Sequence, residues 1–324
     1  MPLTPEAQAI VDAAGAAFPK LGTEVLDATE ARRLLAARPA APIDPIPVAE
    51  VWERRIPGPA SAPEVRVRIY RPASAAQAAP VVLFCHGGGF VICSLDSHDR
   101  FCRAMAVGAD AIVVSVDYRQ APEHRFPAAA EDAYAALCWV AGHADALGVD
   151  PARLVVAGDS AGGNLAAVTA LLARDRGGPE IARQLLLYPM LDPACATASY
   201  RENAEGYFTT AAHLRWYWRQ YLGKHDGVDP YANPLHAELA GLPPAHIVTA
   251  EYDPLRDEGE DYGRRLRQAG VAAEIHRYEG MFHGFMSMAD HLPEAMRANA
   301  ATFSAIRTAH AERRSRPIHF YGDP

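Results

Sequence analysis

Apolar residues alternate with polar ones in two early segments of the chain and form short unbroken runs in the segments that follow. The alternating segments begin at Val48 and Glu64, a pattern typical of half-exposed antiparallel strands near a sheet edge. Unbroken runs favour parallel strands that are buried on both faces. These runs begin at Val81, Ala111, Leu154, Leu185 and His246. An eighth strand, which alternates again, is predicted from Ala272.

Helical periodicity separates the central runs. Apolar residues recur at helical spacing over 98–107, 128–140, 164–174 and 255–269, and a last helix is predicted over 293–308. Strands and helices that alternate in this way form right-handed βαβ units. The sequence therefore predicts an α/β fold in which helices flank an eight-stranded, mostly parallel sheet.

Two segments fall outside this alternation. Residues 1–42 contain two helical patterns without a strand, and residues 191–241 contain another, TTAAHLRWYWRQYLG. Because open α/β sheets bind ligands at the carboxyl ends of their strands, we expect the two segments to pack together there as a helical cap. The core would then comprise 43–190 and 242–310, followed by a C-terminal tail at 311–324. Ordinary peripheral helices are the alternative.

Composition and charge exclude several classes of function. Half of the residues are hydrophobic and 22% are charged, as is usual in globular proteins. A net charge of −8 and the lack of a Lys/Arg cluster argue against nucleic-acid binding. The five cysteines are scattered, which favours reduced, packed thiols. With no apolar run near the ~20 residues of a membrane helix and no signal-peptide pattern, we expect a cytoplasmic protein.

The segment GDSAG, residues 158–162, places a serine between two glycines. An apolar run precedes it and a helical pattern follows it, which is the context of a nucleophile elbow. Strand and helix crowd such a sharp turn, so the positions two before and two after the serine must be nearly free of side chain. Backbone N–H groups at the helix start favour developing negative charge. We therefore predict Ser160 as a catalytic nucleophile.

A second glycine-rich motif, HGGGF at 86–90, follows the strand predicted from Val81. A tetrahedral intermediate needs hydrogen-bond donors aimed at its oxyanion, and glycines let the main chain turn its amides inward. We assign an oxyanion hole to the backbone N–H groups of Gly88, Gly89 and Ala161. The alternative is a flexible glycine loop. We expect His86 to brace the loop rather than to act as a base.

A serine nucleophile needs a general base, and in enzymes with this elbow an acid and then a histidine follow the serine along the chain. Asp253 ends the strand predicted from His246, with Glu251 and Asp257 as competitors. His283 lies in a glycine-flanked loop after the last strand. Its rival, His276, lies in the middle of a strand, where a structural role is the more common one.

Aromatic residues are dense between residues 191 and 241, which favours a pocket wall. Helical spacing cannot place all of these rings on one face, so about half of them belong to the core. We predict a substrate pocket that includes Phe90, Asp159, Tyr188, Phe208 and Trp216.

Together the motifs resemble the hormone-sensitive-lipase-like esterases, also called bacterial lipolytic family IV. The matching segments are HGGGF, SLDSH, DYRQAPEHRFPAAAEDAYAAL, GDSAGGNLA, YDPLRDEG and HGF, within about residues 40–308. The resemblance implies an α/β-hydrolase fold with a helical cap, no cofactor, and hydrolysis of short-to-medium acyl esters. It also implies Ser160, Asp253 and His283 as the catalytic triad. Cys85 and Gln120 depart from the family pattern without touching the chemistry.

Other functions are known on the same fold. Binding proteins of this family lose the base histidine, whereas His283 is present here. Amidases and acyltransferases share the triad, so the sequence leaves them open. We expect a small-molecule ester and water as the partners and no metal site. By analogy with the family, we also expect a homodimer that pairs through the edge of the last strand.

Overall fold

The computed structural model describes residues 2–38, 44–60 and 62–310. The predicted C-terminal tail at 311–324 lies outside the described residues, as do residues 39–43. No helix in the described ranges is long and apolar enough to cross a bilayer.

Eight strands of the described chain form one sheet in the order β1-β2-β4-β3-β5-β6-β7-β8. The first two strands are antiparallel to their neighbours, and every other pairing is parallel. This confirms the predicted eight-stranded, mostly parallel sheet. The strands are β1 (Glu50–Ile56), β2 (Val65–Arg71), β3 (Ala79–Cys85), β4 (Ile112–Asp117), β5 (Val149–Asp159), β6 (Arg183–Leu187), β7 (Ala245–Tyr252) and β8 (Ala273–Phe282).

The helices between the strands begin and end within a few residues of the predicted bounds. Two short helices, α5 and α7, were not predicted. The helices are α1 (Pro5–Ala17), α2 (Ala28–Ala36), α3 (Asp99–Ala109), α4 (Ala128–Gly142), α5 (Ala144–Leu147), α6 (Ala161–Asp175), α7 (Ala198–Glu202), α8 (Ala211–Leu222), α9 (Arg256–Gln268) and α10 (Pro293–Arg307). Single 3-10 turns lie at Pro234–His236 and Phe285–Met288.

The hydrophobic core lies on both faces of the sheet. Successive residues of a strand point to opposite faces, so Leu83 joins the apolar cluster of α4, α6 and α9, whereas Val82 and Phe84 join that of α3 and α10. Every residue of β3 is buried, as its unbroken apolar run predicts. In β1, at the sheet edge, only Ile56 is buried. Burying each large apolar side chain contributes about 2 kcal/mol.

The N-terminal helices contact the segment inserted between β6 and β7. The indole Nε1 of Trp216 in α8 donates a hydrogen bond of 2.8 Å to the carbonyl of Leu26. The ring of Phe18 lies edge-on to that of Phe208, with 5.4 Å between centroids. Helix α1 also packs against β8. The two segments that fall outside the alternation are therefore in direct contact.

Candidate active site

Ser160 occupies the sharp turn between β5 and α6. Its backbone has φ +57° and ψ −119°, a strained combination for a residue with a side chain. The amide of Ser160 donates to the carbonyl of Leu187 at 2.8 Å, which ties the turn to β6. A Cβ on Gly158 would collide with the carbonyl of Gly162, and a Cβ on Gly162 with that of Cys85. Both flanking glycines are required by this close packing.

Three side chains from distant parts of the chain meet at this turn. Asp253 directly follows β7 and His283 directly follows β8, so both lie at the carboxyl edge of the sheet. Nε2 of His283 lies 2.9 Å from Oγ of Ser160, and its Nδ1 lies 2.7 Å from Oδ2 of Asp253. All three side chains are buried, Asp253 completely. We call these three residues the triad.

The orientation of Asp253 is fixed by its surroundings. Its second oxygen, Oδ1, accepts the backbone N–H of Leu255 at 2.9 Å. One carboxylate oxygen therefore holds the chain turn after β7 while the other faces His283.

The three competitors considered for acid and base lie elsewhere. Glu251 accepts the backbone N–H of Gly280 at 2.7 Å, and Asp257 accepts that of Ser199 at 2.7 Å. His276 lies near the beginning of β8, beside Glu274, at the opposite end of the strand from His283. The structure thus brings none of the three to Ser160.

The HGGGF loop lies beside the serine turn, and its glycines adopt backbone angles that favour glycine. Gly88 and Gly89 have φ of +106° and +62°. A Cβ on Gly88 would collide with the carbonyl of Ile92, and one on Gly89 with the ring of Tyr217. Ala161 is the first residue of α6, where backbone N–H groups have no acceptor within the helix.

Asp159 and His86 both contact Gly87 of this loop. Oδ1 of Asp159 accepts the N–H of Gly87 at 2.8 Å, and its Oδ2 lies 3.3 Å from Nε2 of His98. Burial acts to raise the pKa of Asp159, but His98, His86 and the Gly87 amide together hold this pKa below its usual value. Burial, with a smaller effect of His98, lowers the pKa of His86 to about 4, so its ring is neutral at pH 7.

Two of the residues predicted for the substrate pocket, Phe90 and Trp216, are almost completely buried. Phe90 has no exposed surface and stacks on Tyr221 with 3.8 Å between ring centroids. Trp216 is 1% exposed and its indole is bound to the carbonyl of Leu26. Both rings are packed between elements of the fold, so their place in a substrate pocket stays a prediction.

The other three predicted pocket residues have different surroundings. The ring of Tyr188 lies edge-on to the imidazole of His283, with 4.9 Å between centroids. Asp159 faces the glycine loop. Phe208 is half-buried and lies 6.3 Å, between centroids, from Phe282, which directly precedes His283.

Phe208 also lines a cavity of about 540 Å³ between the N-terminal helices and the inserted segment. Burial lowers the pKa of His213 in its wall to about 4. The lining residues are Val11, Asp12, Gly15, Phe18, Lys20, Thr23, Glu205, Gly206, Phe208, Thr210, Ala212 and His213.

Sequence reasoning missed two residues of the site. His98 belongs to the SLDSH segment that carries the family resemblance, and that segment was the available signal for it. Tyr217 packs against Gly89 and belongs to the aromatic-rich helix α8, but periodicity alone does not say which ring of α8 faces the glycine loop.

Known proteins match most of the chain. A model of a family with the α/β hydrolase fold matches residues 82–287. Esterase LipI of Mycobacterium tuberculosis is 46% identical over 85% of this chain and 87% of its own length. An ethyl acetate hydrolase of Pseudomonas putida is 41% identical over 71% of this chain and 74% of its own. The structure of a hyperthermophilic esterase from the archaeon Pyrobaculum calidifontis superposes with a TM-score of 0.87 and 42% identity, covering 95% of this chain and 99% of that one.

The matches extend over the sheet, the serine turn and the loops that carry Asp253 and His283. The identities and the shared fold agree with the motifs that resemble the hormone-sensitive-lipase-like esterases. The chain belongs to this α/β-hydrolase-fold family and is a serine carboxylesterase.

Proposed function

We propose that Ser160 is the nucleophile of this carboxylesterase, His283 its general base, and Asp253 the residue that orients the imidazole. The observation that carries the proposal is the continuous series of contacts from Asp253 through His283 to Ser160, at 2.7 and 2.9 Å. Both distances lie within reach of proton transfer.

In the first step, Oγ of Ser160 attacks the carbonyl carbon of the ester while Nε2 of His283 takes its proton. Asp253 stabilises the imidazolium that forms. The carbonyl oxygen becomes an oxyanion, which accepts hydrogen bonds from the backbone N–H groups of Gly88, Gly89 and Ala161. Each such donor contributes about 3 kcal/mol to transition-state stabilisation.

In the second step, the tetrahedral intermediate expels the alcohol, which leaves with the proton held by His283. The acyl group is now bound to Ser160 as an ester. Water then attacks this acyl-enzyme with His283 as base, and the carboxylic acid is released as Ser160 recovers its proton. No net change in protonation of the enzyme results.

The substrate is an ester with a short-to-medium acyl chain. The segments 1–42 and 191–241 act as a helical cap on the core formed by 43–190 and 242–310, and the cavity of about 540 Å³ between the two cap segments supports this division. The name of the Pseudomonas putida relative, an ethyl acetate hydrolase, supports a small ester.

Two copies of the chain pair through β8. Within the described residues β8 is the last strand of the sheet on its side, and an edge strand carries unpaired backbone groups. Sedimentation of the purified protein as a monomer at micromolar concentration would exclude this pairing.

The assignment of Ser160 is tested with p-nitrophenyl esters of increasing chain length, assayed beside aryl amides. We expect Ser160→Ala to lower kcat by about 10,000-fold or more. The control Ser304→Ala changes an exposed serine of α10 and should keep full activity. Ester hydrolysis within tenfold of wild type in Ser160→Ala contradicts the assignment, and faster turnover of amides than of esters contradicts the substrate class.

A further inference from the structure

Two histidines and a glutamate meet at the beginning of β7 and β8, at the opposite end of these strands from Asp253 and His283. His246 of β7 pairs in register with Glu274 of β8, and His276 follows Glu274 by two residues. Residues two apart on a strand share a face, so all three side chains point to the face covered by α10. Across the part of the chain that the structure describes, this is the single group of three side chains placed to hold a metal ion.

The two distances from Glu274 to the histidines are long for hydrogen bonds and match the separation of ligands around a metal ion, and all three ligand atoms lie within 4.8 Å of one another. Oε2 of Glu274 lies 3.4 Å from Nδ1 of His246 and 3.5 Å from Nε2 of His276. Hydrogen bonds between such atoms are normally about 2.7–3.2 Å long. Ligand atoms at Zn²⁺–N and Zn²⁺–O distances of about 2.0–2.2 Å, with tetrahedral angles, are about 3.3–3.5 Å apart. Nε2 of His276 is buried and has no hydrogen-bond partner.

The neighbours of the group orient its ligand atoms. The second ring nitrogen of His246, Nε2, lies 3.4 Å from Oγ1 of the buried Thr302 in α10. This contact is longer than an ordinary hydrogen bond, but it places Nε2 against α10 and turns Nδ1 toward Glu274. Nη1 of Arg183 lies 3.9 Å from the second oxygen of Glu274, Oε1. Oε1 thus lies beside a cation, and Oε2 is the oxygen that faces both histidines.

The group is open on one side. His246 is 2% exposed, whereas the side chains of His276 and Glu274 are 41% and 58% exposed. An ion can therefore enter from solvent and keep a water molecule in the fourth position, as Zn²⁺ does with three protein ligands. Two imidazoles and one carboxylate favour Zn²⁺ over Mg²⁺ and Ca²⁺, which prefer oxygen ligands alone.

We propose that His246, Glu274 and His276 bind one Zn²⁺ ion that clamps β7 to β8. The site is separate from the reaction, because the seven residue steps from His246 to Asp253 span about 23 Å of extended chain. An ion there acts on stability, by joining the two strands that carry Asp253 and His283. This differs from the expectation of no metal site, since His246 and His276 are brought together only by strand register.

Binding is measured by calorimetry and thermal unfolding on the full chain after dialysis against a chelator. We expect one Zn²⁺ per chain. At a free ZnCl₂ concentration of 100 times Kd, the unfolding equilibrium constant falls about 100-fold, and the Tm rises by about 5 °C. MgCl₂ at the same concentration leaves the Tm unchanged. Absence of Zn²⁺ binding at about 1 mM overturns the proposal.

Variants assign the ion to these residues. We expect Glu274→Gln and His276→Gln to weaken Zn²⁺ binding at least tenfold, and to remove the Zn²⁺-dependent rise in Tm. The control His236→Gln removes an exposed histidine outside the group and should bind Zn²⁺ as wild type does. Esterase activity without metal should be the same in all four proteins, which verifies that the variants fold. Equal Zn²⁺ affinity in wild type, Glu274→Gln and His276→Gln overturns the proposal.

Discussion

Asp159 connects the serine turn to the glycine loop that we assign as the oxyanion hole. It directly precedes Ser160, and its carboxylate accepts the amide of Gly87 at 2.8 Å. The sequence suggested a pocket residue at this position, whereas the structure shows a carboxylate that is 14% exposed and faces the loop. The two interpretations differ in their kinetic consequences, because a residue that positions the loop acts on the transition state and a pocket residue acts on substrate binding.

We expect Asp159→Ala to lower kcat by about 10- to 100-fold with little change in KM, because the Gly87 amide loses its acceptor and the loop loses its position. Asp159→Asn keeps an acceptor oxygen at the same place and should stay within a few-fold of wild type. Steady-state kinetics with a p-nitrophenyl ester measures both. A rise in KM at constant kcat in Asp159→Ala would favour the pocket interpretation.

Helix α8 is the element that joins the inserted segment to the N-terminal helices. Trp216 contributes through its hydrogen bond to Leu26, and Tyr217 on the next position packs against Gly89 of the glycine loop. Two neighbouring residues of α8 therefore contact different parts of the molecule: Trp216 contacts the N-terminal segment, and Tyr217 contacts the glycine loop beside Ser160. This arrangement supports a cap whose two parts are held together by α8.

We expect Trp216→Phe to lower the free energy of unfolding by about 1–2 kcal/mol, because the carbonyl of Leu26 loses its donor and a buried ring becomes smaller. The value of kcat should change less than twofold, since Trp216 is only 1% exposed and offers substrate almost no surface to contact. Urea unfolding and the same ester assay measure the two effects. A changed acyl-chain preference with unchanged stability would show that Trp216 lines the pocket after all.

The sequence predicted the long elements well and the short ones poorly. Unbroken apolar runs and helical periods each extend over several residues, so the strands and the long helices could be recognised. Helices α5 and α7 contain four and five residues, too few for a period to be seen. The sequence also could not predict which aromatic side chains of α8 face a pocket, because this depends on the orientation of the helix about its own axis in the folded protein.

At the scale of the whole molecule, buried histidines connect stability to pH. Burial lowers the pKa of His213 to about 4 in the folded protein, below its value of about 6.5 in the unfolded chain. Between about pH 4 and pH 6.5, His213 is protonated in the unfolded chain and neutral in the folded protein. Stability is therefore lost as the pH falls from about 6.5 to about 4, by about 1.4 kcal/mol per pH unit for this group.

We expect His213→Gln to remove this contribution while its side-chain oxygen still accepts the Thr210 amide that His213 binds in the capping box of α8. Relative to the variant, wild type should lose about 3 kcal/mol between pH 6.5 and pH 4. Urea unfolding of both proteins across this range measures the difference, in which the other titrating groups cancel. If the free energy of unfolding changes with pH in the same way in both proteins, His213 has the same pKa in the folded and unfolded states, and the prediction is contradicted.

At the scale of the whole molecule, the sequence predicted Asp253 from its place at the end of a strand and His283 from its glycine-flanked loop after the last strand. The structure brings both side chains to Ser160, whereas Glu251 and His276 lie elsewhere. The group proposed to bind Zn²⁺ had no signal in the sequence, because His246 and Glu274 lie 28 residues apart and meet only through the register of β7 and β8.

The central claim, that Ser160 attacks the ester and becomes acylated, is tested most directly by trapping the covalent intermediate. The protein is treated with a fluorophosphonate, which reacts only with an activated nucleophile, and the modified peptide is identified by mass spectrometry. We predict one adduct per chain, on Ser160, and no adduct in His283→Ala because that variant lacks the base. An adduct on another residue, or full esterase activity in protein whose Ser160 is completely modified, would contradict the account.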